Sequence, residues 1–419
     1  MDKHKSKIGI IHYTYPPAVG GVENLIRTHA LYFCEHGYKV TIFSSVGQEN
    51  HQAIRMVQIP ELASLKLTEP DLYTKMLSTE EFPDEIIRVS ETIFQQLEKQ
   101  KNTFEILIAH NIFSLALNPA IALALLTFHA MNPDIPIVAW THDLIFQDRE
   151  TNPTRQKFPN KKLDEIIHTP QNDISYVVIS QFLKDNLVRI LDFKDDRLTV
   201  IPNCLDMTRF LGLHKITKKI VKKHSLLDFN CILYFPSKIM PHKNYVVCLE
   251  ALHQLIKHGL NPVMIFSAGV YPHSKQAQKH IQLFHKIIDS YGLSNNIAMV
   301  SEYFSGQKPD DIFRAIREIY MLSDIVLYPS QYENFGLPIL ECAVTKTPII
   351  CTDLPVFIDL AGDRLYQIKK NNLNEHSLSK LITQVLSESK QSRLLQRVKQ
   401  KFLIETVFKK NIIPYIDSL

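Results

Sequence analysis

Two carboxylates, Glu333 and Glu341, stand eight residues apart in the run DIVLYPSQYENFGLPILECAVTKTPIICTD, residues 324–353. Glu333 falls in the loop Glu333-Asn334-Phe335-Gly336, and Glu341 lies about one turn into the helix expected around Pro338, so both acids can face one cleft. Carboxylate oxygens accept from hydroxyls, while the free amides of Asn334, Phe335, Gly336 and Leu337 at a helix start donate to hydroxyls or phosphate oxygens. Gly336 lets a ligand come close to the main chain. Without a basic partner, two such acids suit a polyhydroxylated ligand. A second set of groups is cationic: Lys238 and Lys243, in FPSKIMPHKN, form a candidate clamp for a nucleotide diphosphate. Two ammonium groups there would stabilise the charge that builds as a sugar leaves, a role that a metal plays elsewhere.

These loops are placed by the strands before them. Short apolar runs at Cys231–Phe235, Val263–Ser267, Asn296–Ser301, Asp324–Tyr328 and Pro348–Cys351 read as buried parallel strands, alternating with helices at 244–258, 277–291 and 310–322. In open α/β sheets ligands bind at the carboxyl ends of strands, where both loops fall. The amino-terminal half repeats the pattern. A strand at Lys7–Ile11, a Pro/Gly loop to Gly21, a helix closing at Gly37 and a strand at Val40–Phe43 make a βαβ unit. Gly20 and Gly21 there would let backbone amides approach a donor phosphate or an acceptor. Strands at Phe104–Ala109 and Ile135–Trp140 end in His110-Asn111 and Thr141-His142-Asp143, and Tyr176–Ile179 adds another. A titratable group at such a strand end makes His142 a candidate for binding or catalysis. His110, Asn111 and Asp143 are weaker candidates for acceptor hydroxyls. Residues 60–100 read as helices and 144–172 as a loop or lid.

A chain of 419 residues with 45% hydrophobic content can bury two cores, because single cores stop growing near ~250–300 residues. The net charge of +4 is too small for a nucleic-acid footprint. Six cysteines fall singly in apolar elements without zinc spacing, which suits a reducing cytoplasm. The amino terminus does not read as a signal peptide, and no run reaches the ~20 apolar residues of a membrane span. The run HKITKKIVKKH, residues 214–224, is a basic amphipathic stretch that would suit peripheral contact with an anionic membrane.

The acidic segment resembles the Glu, seven residues, Glu signature of family 4 retaining glycosyltransferases, which reads like PSxxEGFGLPxLEAMAxGxPV. It matches at Pro329, Ser330, Glu333, Phe335, Gly336, Leu337, Pro338, Leu340, Glu341 and Pro348. Asn334 and Lys346 stand where the family has glycine. Lys243 matches the lysine of the family's Arg, four residues, Lys pair, and Lys238 stands in for its arginine, keeping charge while losing the bidentate fork. PPAVGGVE from Pro16 resembles the family's PPxxGGxE, and IPNCLD from Ile201 resembles its interdomain IPNGVD, with Cys204 for glycine.

The resemblance implies a GT-B fold: an α/β protein of two doubly wound Rossmann-like domains facing a central cleft. It places them at 1–205 on the acceptor side and 206–390 on the nucleotide-sugar side, with a helix over 391–419 crossing back to the first domain. It implies transfer of a hexosyl unit, with retention, from a nucleotide-diphosphate sugar to a sugar, lipid or small-molecule acceptor, with that donor as co-substrate and no further cofactor. Lys238 and Lys243 would hold the diphosphate and Glu341 the ribose. Glu333 and the amides of 334–337 would hold the sugar hydroxyls, and His142 would orient the sugar or stabilise its developing positive charge. No Asp-x-Asp motif is present, so a metal-independent reaction is expected. The alternative is a non-catalytic scaffold of the same fold that binds a glycan or protein partner.

Overall fold

A computed structural model describes residues 7–145, 157–191, 193–267 and 275–419, with no side chains for 275–278. It forms two units, Met1–Asp206 with Ile404–Leu419, and Met207–Leu403. In the first unit the strands are β1 (Lys7–Ile11), β2 (Lys39–Ser44), β3 (Ile54–Gln58), β4 (Ile106–His110), β5 (Ile137–Thr141), β6 (Ile174–Val178) and β7 (Leu198–Val200). They pair in parallel in the order β3-β2-β1-β4-β5-β6-β7. In the second unit β8 (Cys231–Phe235), β9 (Pro262–Phe266), β10 (Ile297–Met299), β11 (Ile325–Tyr328), β12 (Ile349–Thr352) and β13 (Tyr366–Ile368) form a parallel sheet ordered β10-β9-β8-β11-β12-β13. Strands β4, β5, β8, β9, β11 and β12 are buried at every residue, which is why they read as unbroken apolar runs.

Each sheet has one place where strand order reverses. The chain runs from β1 outward to β3, then resumes beside β1 with β4; likewise it runs from β8 to β10 and resumes beside β8 with β11. Connections leave adjacent strands in opposite directions at such points and open a crevice at the carboxyl ends. In the first unit the loops after β1 and β4 flank that crevice. In the second it is flanked by the loops after β8 and β11, which carry Lys238, Lys243 and Glu333.

Several expectations need revision. Strands β3, β7 and β13 escape the sequence reading because two have only three residues and IRMVQ in β3 mixes polar and apolar side chains. The stretch 144–172 contains a helix, Lys161–His168, whose cap Asn160 accepts from the Leu163 amide at 2.9 Å. Residues 146–156 of that expected lid lie outside the described residues. The crossing back begins at Ile404 rather than at residue 391. The helix Lys390–Lys401 stays with the second unit, and Ile404, Val407, Phe408, Ile412 and Ile416 pack with Ile8, Ile10 and Phe33 in the core of the first.

A buried ion pair holds Lys390–Lys401 in place. Lys399 Nζ lies 3.0 Å from Asp324 Oδ2, each side chain 1% exposed, and the same oxygen accepts from the Ile232 amide at 2.7 Å. Asp324 thus ties the start of β11 to β8 and to the carboxyl-terminal helix. Asp324→Ala removes the counter-charge of a buried ammonium and is expected to destabilise the second unit by about 3–5 kcal/mol. Urea unfolding measures this, and an unchanged midpoint would contradict it.

The basic stretch forms a helix, Lys215–Lys223, whose Ile216, Thr217, Ile220 and Val221 are buried in the second unit. The helix is amphipathic as expected, and its apolar face is committed to the core of the second unit. What it offers solvent is a row of exposed lysines, 215, 218, 219, 222 and 223.

Candidate active site

In the second unit hydrogen bonds tie the loops after β8 and β11 together. The Gln331 amide donates to the His242 carbonyl at 2.7 Å, Asn244 Nδ2 to the Pro329 carbonyl at 2.7 Å, and Gln331 Nε2 to Asn244 Oδ1 at 3.0 Å. Asn244 takes a left-handed conformation, φ 54°, that turns the loop into the helix Tyr245–Lys257. This stitching brings Lys243 Nζ onto Glu333 Oε1 in an ion pair, each side chain 15% exposed. Glu333 also accepts from Ser330 Oγ at 2.8 Å and from the Tyr328 hydroxyl. Burial pushes the Glu333 carboxyl up, but these donors more than offset it and hold it below its ordinary value. The expectation of carboxylates without a basic partner is thus corrected for Glu333. Lys238 is exposed and makes no ion pair among the described residues.

Glu341 is half-buried and accepts from the Tyr320 hydroxyl at 2.5 Å. Tyr328 lies beside both acids: burial first, then Glu333 and Glu341, push its hydroxyl far up. Between the acids Gly336 caps the helix Leu337–Thr345 at φ 105°, and a Cβ there would stand 2.9 Å from Phe357 Cε1. Asn334, Phe335 and Leu337 are exposed around it. At the far end of this helix Lys346 adopts φ 58°, the left-handed conformation that glycine usually supplies, so the glycine-to-lysine change leaves the backbone turn in place.

The first unit gathers four buried histidines from separate elements: His12 after β1, His29 in the helix Gly21–Glu35, His110 ending β4 and His142 after β5. His110 Nδ1 and His142 Nε2 share a hydrogen bond of 2.8 Å, their rings stacked at 5.1 Å. The His110 ring also stacks on Trp140. Since His110 is fully buried, it cannot contact an acceptor directly; its side chain positions His142. Asn111, at φ 59°, is likewise structural. Its Oδ1 accepts from the amides of His142 at 2.8 Å and Asp143 at 3.1 Å, and its Nδ2 donates to Asp143 Oδ2 at 3.1 Å. Asp143 itself is exposed. The side of Gly20 where a Cβ would stand is filled by the Glu23 carboxylate, whereas nothing lies within 4 Å of that position at Gly21. Cys204 takes no left-handed conformation; its thiol, pushed up to about 12 by burial, lies 3.4 Å from His29 Nε2.

Burial drives His29 down to about 4 and His142 to about 3, with His29 and His12 lowering His142 further. Both stay neutral at pH 7. Below their ordinary value of 6.5 the unfolded chain takes up protons that the folded chain refuses. The first unit therefore loses stability as pH falls, by about 1.4 kcal/mol per pH unit for each histidine. Melting curves between pH 7 and 4.5 are expected to show this slope, and His142→Gln should make it shallower; an equal slope in that variant would contradict the assignment.

Sequence reasoning missed Tyr320, Tyr328 and His12, and met Glu23 only as the last position of the PPxxGGxE resemblance. The tyrosines lie in apolar runs that read as core. His12 had a signal available, since it directly follows a strand, as His110 and His142 do in position.

Comparison with known proteins places both units. The model of the family described as Glycosyltransferase Family 4 matches residues 19–209, and that of Glycosyl transferases group 1 matches 217–401, together most of the chain. A mannosylglucosylglycerate synthase of Petrotoga mobilis is 26% identical over 66% of this chain and 65% of its own length, so the match spans just under two thirds of that relative. One from Thermotoga maritima is 22% identical over 76% of this chain and 74% of its own. A serotype-specific mannosyltransferase of Escherichia coli is 41% identical over 31% of this chain and 15% of its own length.

Proposed function

The chain belongs to the family 4 glycosyltransferases of the GT-B class and is an enzyme, and from that membership we propose that it moves a mannosyl unit, with retention, from a nucleoside-diphosphate donor to a hydroxyl of a small sugar-containing acceptor. The choice of mannose follows the relatives, whose names carry mannosyl products. The observation that carries the reading is the Lys243–Glu333 pair at the reversal point of the second sheet.

In this reading the pair is a latch. An incoming diphosphate, with two negative charges or more, draws the Lys243 ammonium from Glu333, and exposed Lys238 completes the clamp. Glu333 is then free to accept from the donor's sugar hydroxyls, while Glu341, oriented by Tyr320, accepts from the ribose. The C1–O bond to the phosphate breaks with its electrons on the diphosphate, the acceptor oxygen bonds to C1 on the same face, and the acceptor's proton passes to the departing phosphate oxygen. His142, kept neutral by burial, does not oppose the positive charge that develops on the sugar.

Incubation with guanosine, uridine and adenosine diphosphate hexoses, with glucosylglycerate as acceptor and with or without EDTA, tests the reading. Release of nucleoside diphosphate with an α-linked mannosyl product, undiminished by EDTA, is expected. No turnover of any donor would count against it, and loss of activity in EDTA restored by magnesium would overturn metal independence.

A further inference from the structure

The first unit holds a polar group that the donor chemistry does not use. His12 Nδ1 lies 3.0 Å from the His110 carbonyl oxygen. A carbonyl only accepts, so Nδ1 carries the proton and Nε2 presents its lone pair. His12 is 6% exposed, and its Nε2 has Glu23 Oε1 at 4.0 Å and no hydrogen-bond partner among the described residues. Burial lowers the imidazole's proton affinity, opposed by the His110 carbonyl, Glu23 and Asp143, so Nε2 stays bare at neutral pH.

The charge of two carboxylates, Glu23 and Asp143, acts on this imidazole. The Glu23 carboxylate, 16% exposed, is steadied by Thr14 Oγ1 at 2.8 Å and lies back over Gly20 from the third helical position, where an acid also complements the helix start. Asp143 is held by Asn111 at 3.1 Å. Arg27, four residues on from Glu23 in the same helix, is paired with Glu49, with Nε at 2.7 Å from Oε2. A site of acceptors alone recognises a ligand that brings donors, and two carboxylates repel a carboxylate or phosphate.

We propose that His12, Glu23 and Asp143 form a subsite for the neutral, polyhydroxylated part of the acceptor, one of whose hydroxyls donates to His12 Nε2. The identity of that ligand as the glycosyl acceptor rests on the transfer reading above; the subsite's preference for neutral polyols does not. His12 here binds and orients a hydroxyl without taking its proton. The crevice at the β1/β4 reversal is where this sheet would hold a ligand.

Long-range ¹H–¹⁵N NMR of the histidine side chains in the full chain tests this without a donor, with His12 assigned through His12→Gln. Methyl α-D-glucopyranoside is expected to shift the His12 Nε2 resonance saturably, and D-glycerate to leave it in place. Glu23→Gln, which keeps the shape, should weaken the glucoside's apparent affinity at least about fivefold, the loss of one charge-assisted bond. A resonance unmoved by the glucoside, or moved equally by glycerate, would overturn the subsite. A response at His12 with no turnover of any nucleotide sugar would instead overturn the transfer reading and leave the subsite standing.

Discussion

Replacing Lys243 with alanine is expected to lower kcat/KM for glycosyl transfer by about 10²–10³-fold, the usual cost of removing one donor aimed at charge that develops in the transition state. The variant should still fold. Glu333 retains the Ser330 and Tyr328 hydroxyls, and its partial exposure allows water to replace the ammonium. Lys243 also lies 5.6 Å over the Tyr328 ring, so part of the loss in the resting enzyme is a cation–π contact of about 0.5–1 kcal/mol. Steady-state kinetics with the productive donor, alongside a thermal melt, separates the effects. Turnover within twofold of the wild type would remove Lys243 from the mechanism.

Gly336→Ala is expected to act on both stability and donor binding. At φ 105° an added Cβ is strained in any L-residue, and here it would also meet the fully buried Phe357 ring at 2.9 Å. Strain and overpacking together amount to about 2–4 kcal/mol. Phe357 has nowhere to retreat without moving Tyr328, whose ring centroid is 5.3 Å away and whose hydroxyl steadies Glu333. The substitution should thus disturb the acid as well as the loop. Urea unfolding combined with a donor titration checks it; a variant within 0.5 kcal/mol of wild type with unaltered donor affinity would contradict the geometry.

Much of the second unit's site was legible in the sequence because it is local. Glu333, Gly336, Leu337 and Glu341 lie on one strand-loop-helix segment, and Lys243 follows a fully buried strand, so periodicity and punctuation alone place both loops at strand ends. Nothing local pairs Lys243 with Glu333, which are 90 residues apart; that contact exists because β8 and β11 are neighbours at the reversal of strand order. The histidine cluster was legible only in fragments, since His12, His29, His110 and His142 meet through the order of β1, β4 and β5 and no spacing connects them. His110 and Asn111 looked like surface groups at a strand end, yet the turn after β4 folds them inward to brace His142. Short strands such as β7 and β13 carry too few residues for an alternating or apolar pattern to emerge. The start of the helix Lys390–Lys401 did leave a signal in its capping Ser389, whose side chain accepts from the Ser392 amide at 3.0 Å.

Isothermal titration calorimetry of guanosine and uridine diphosphate against the wild type and the Lys238→Ala/Lys243→Ala double variant probes the central claim, that a nucleoside diphosphate is gripped by these two ammonium groups. One of the two nucleotides is expected to bind the wild type, and the double variant should lose about 10²-fold or more in affinity, as two charge-assisted contacts of about 1.5–3 kcal/mol each require. Equal affinity in the two proteins, or a wild type that binds neither of these nor adenosine diphosphate, would contradict it.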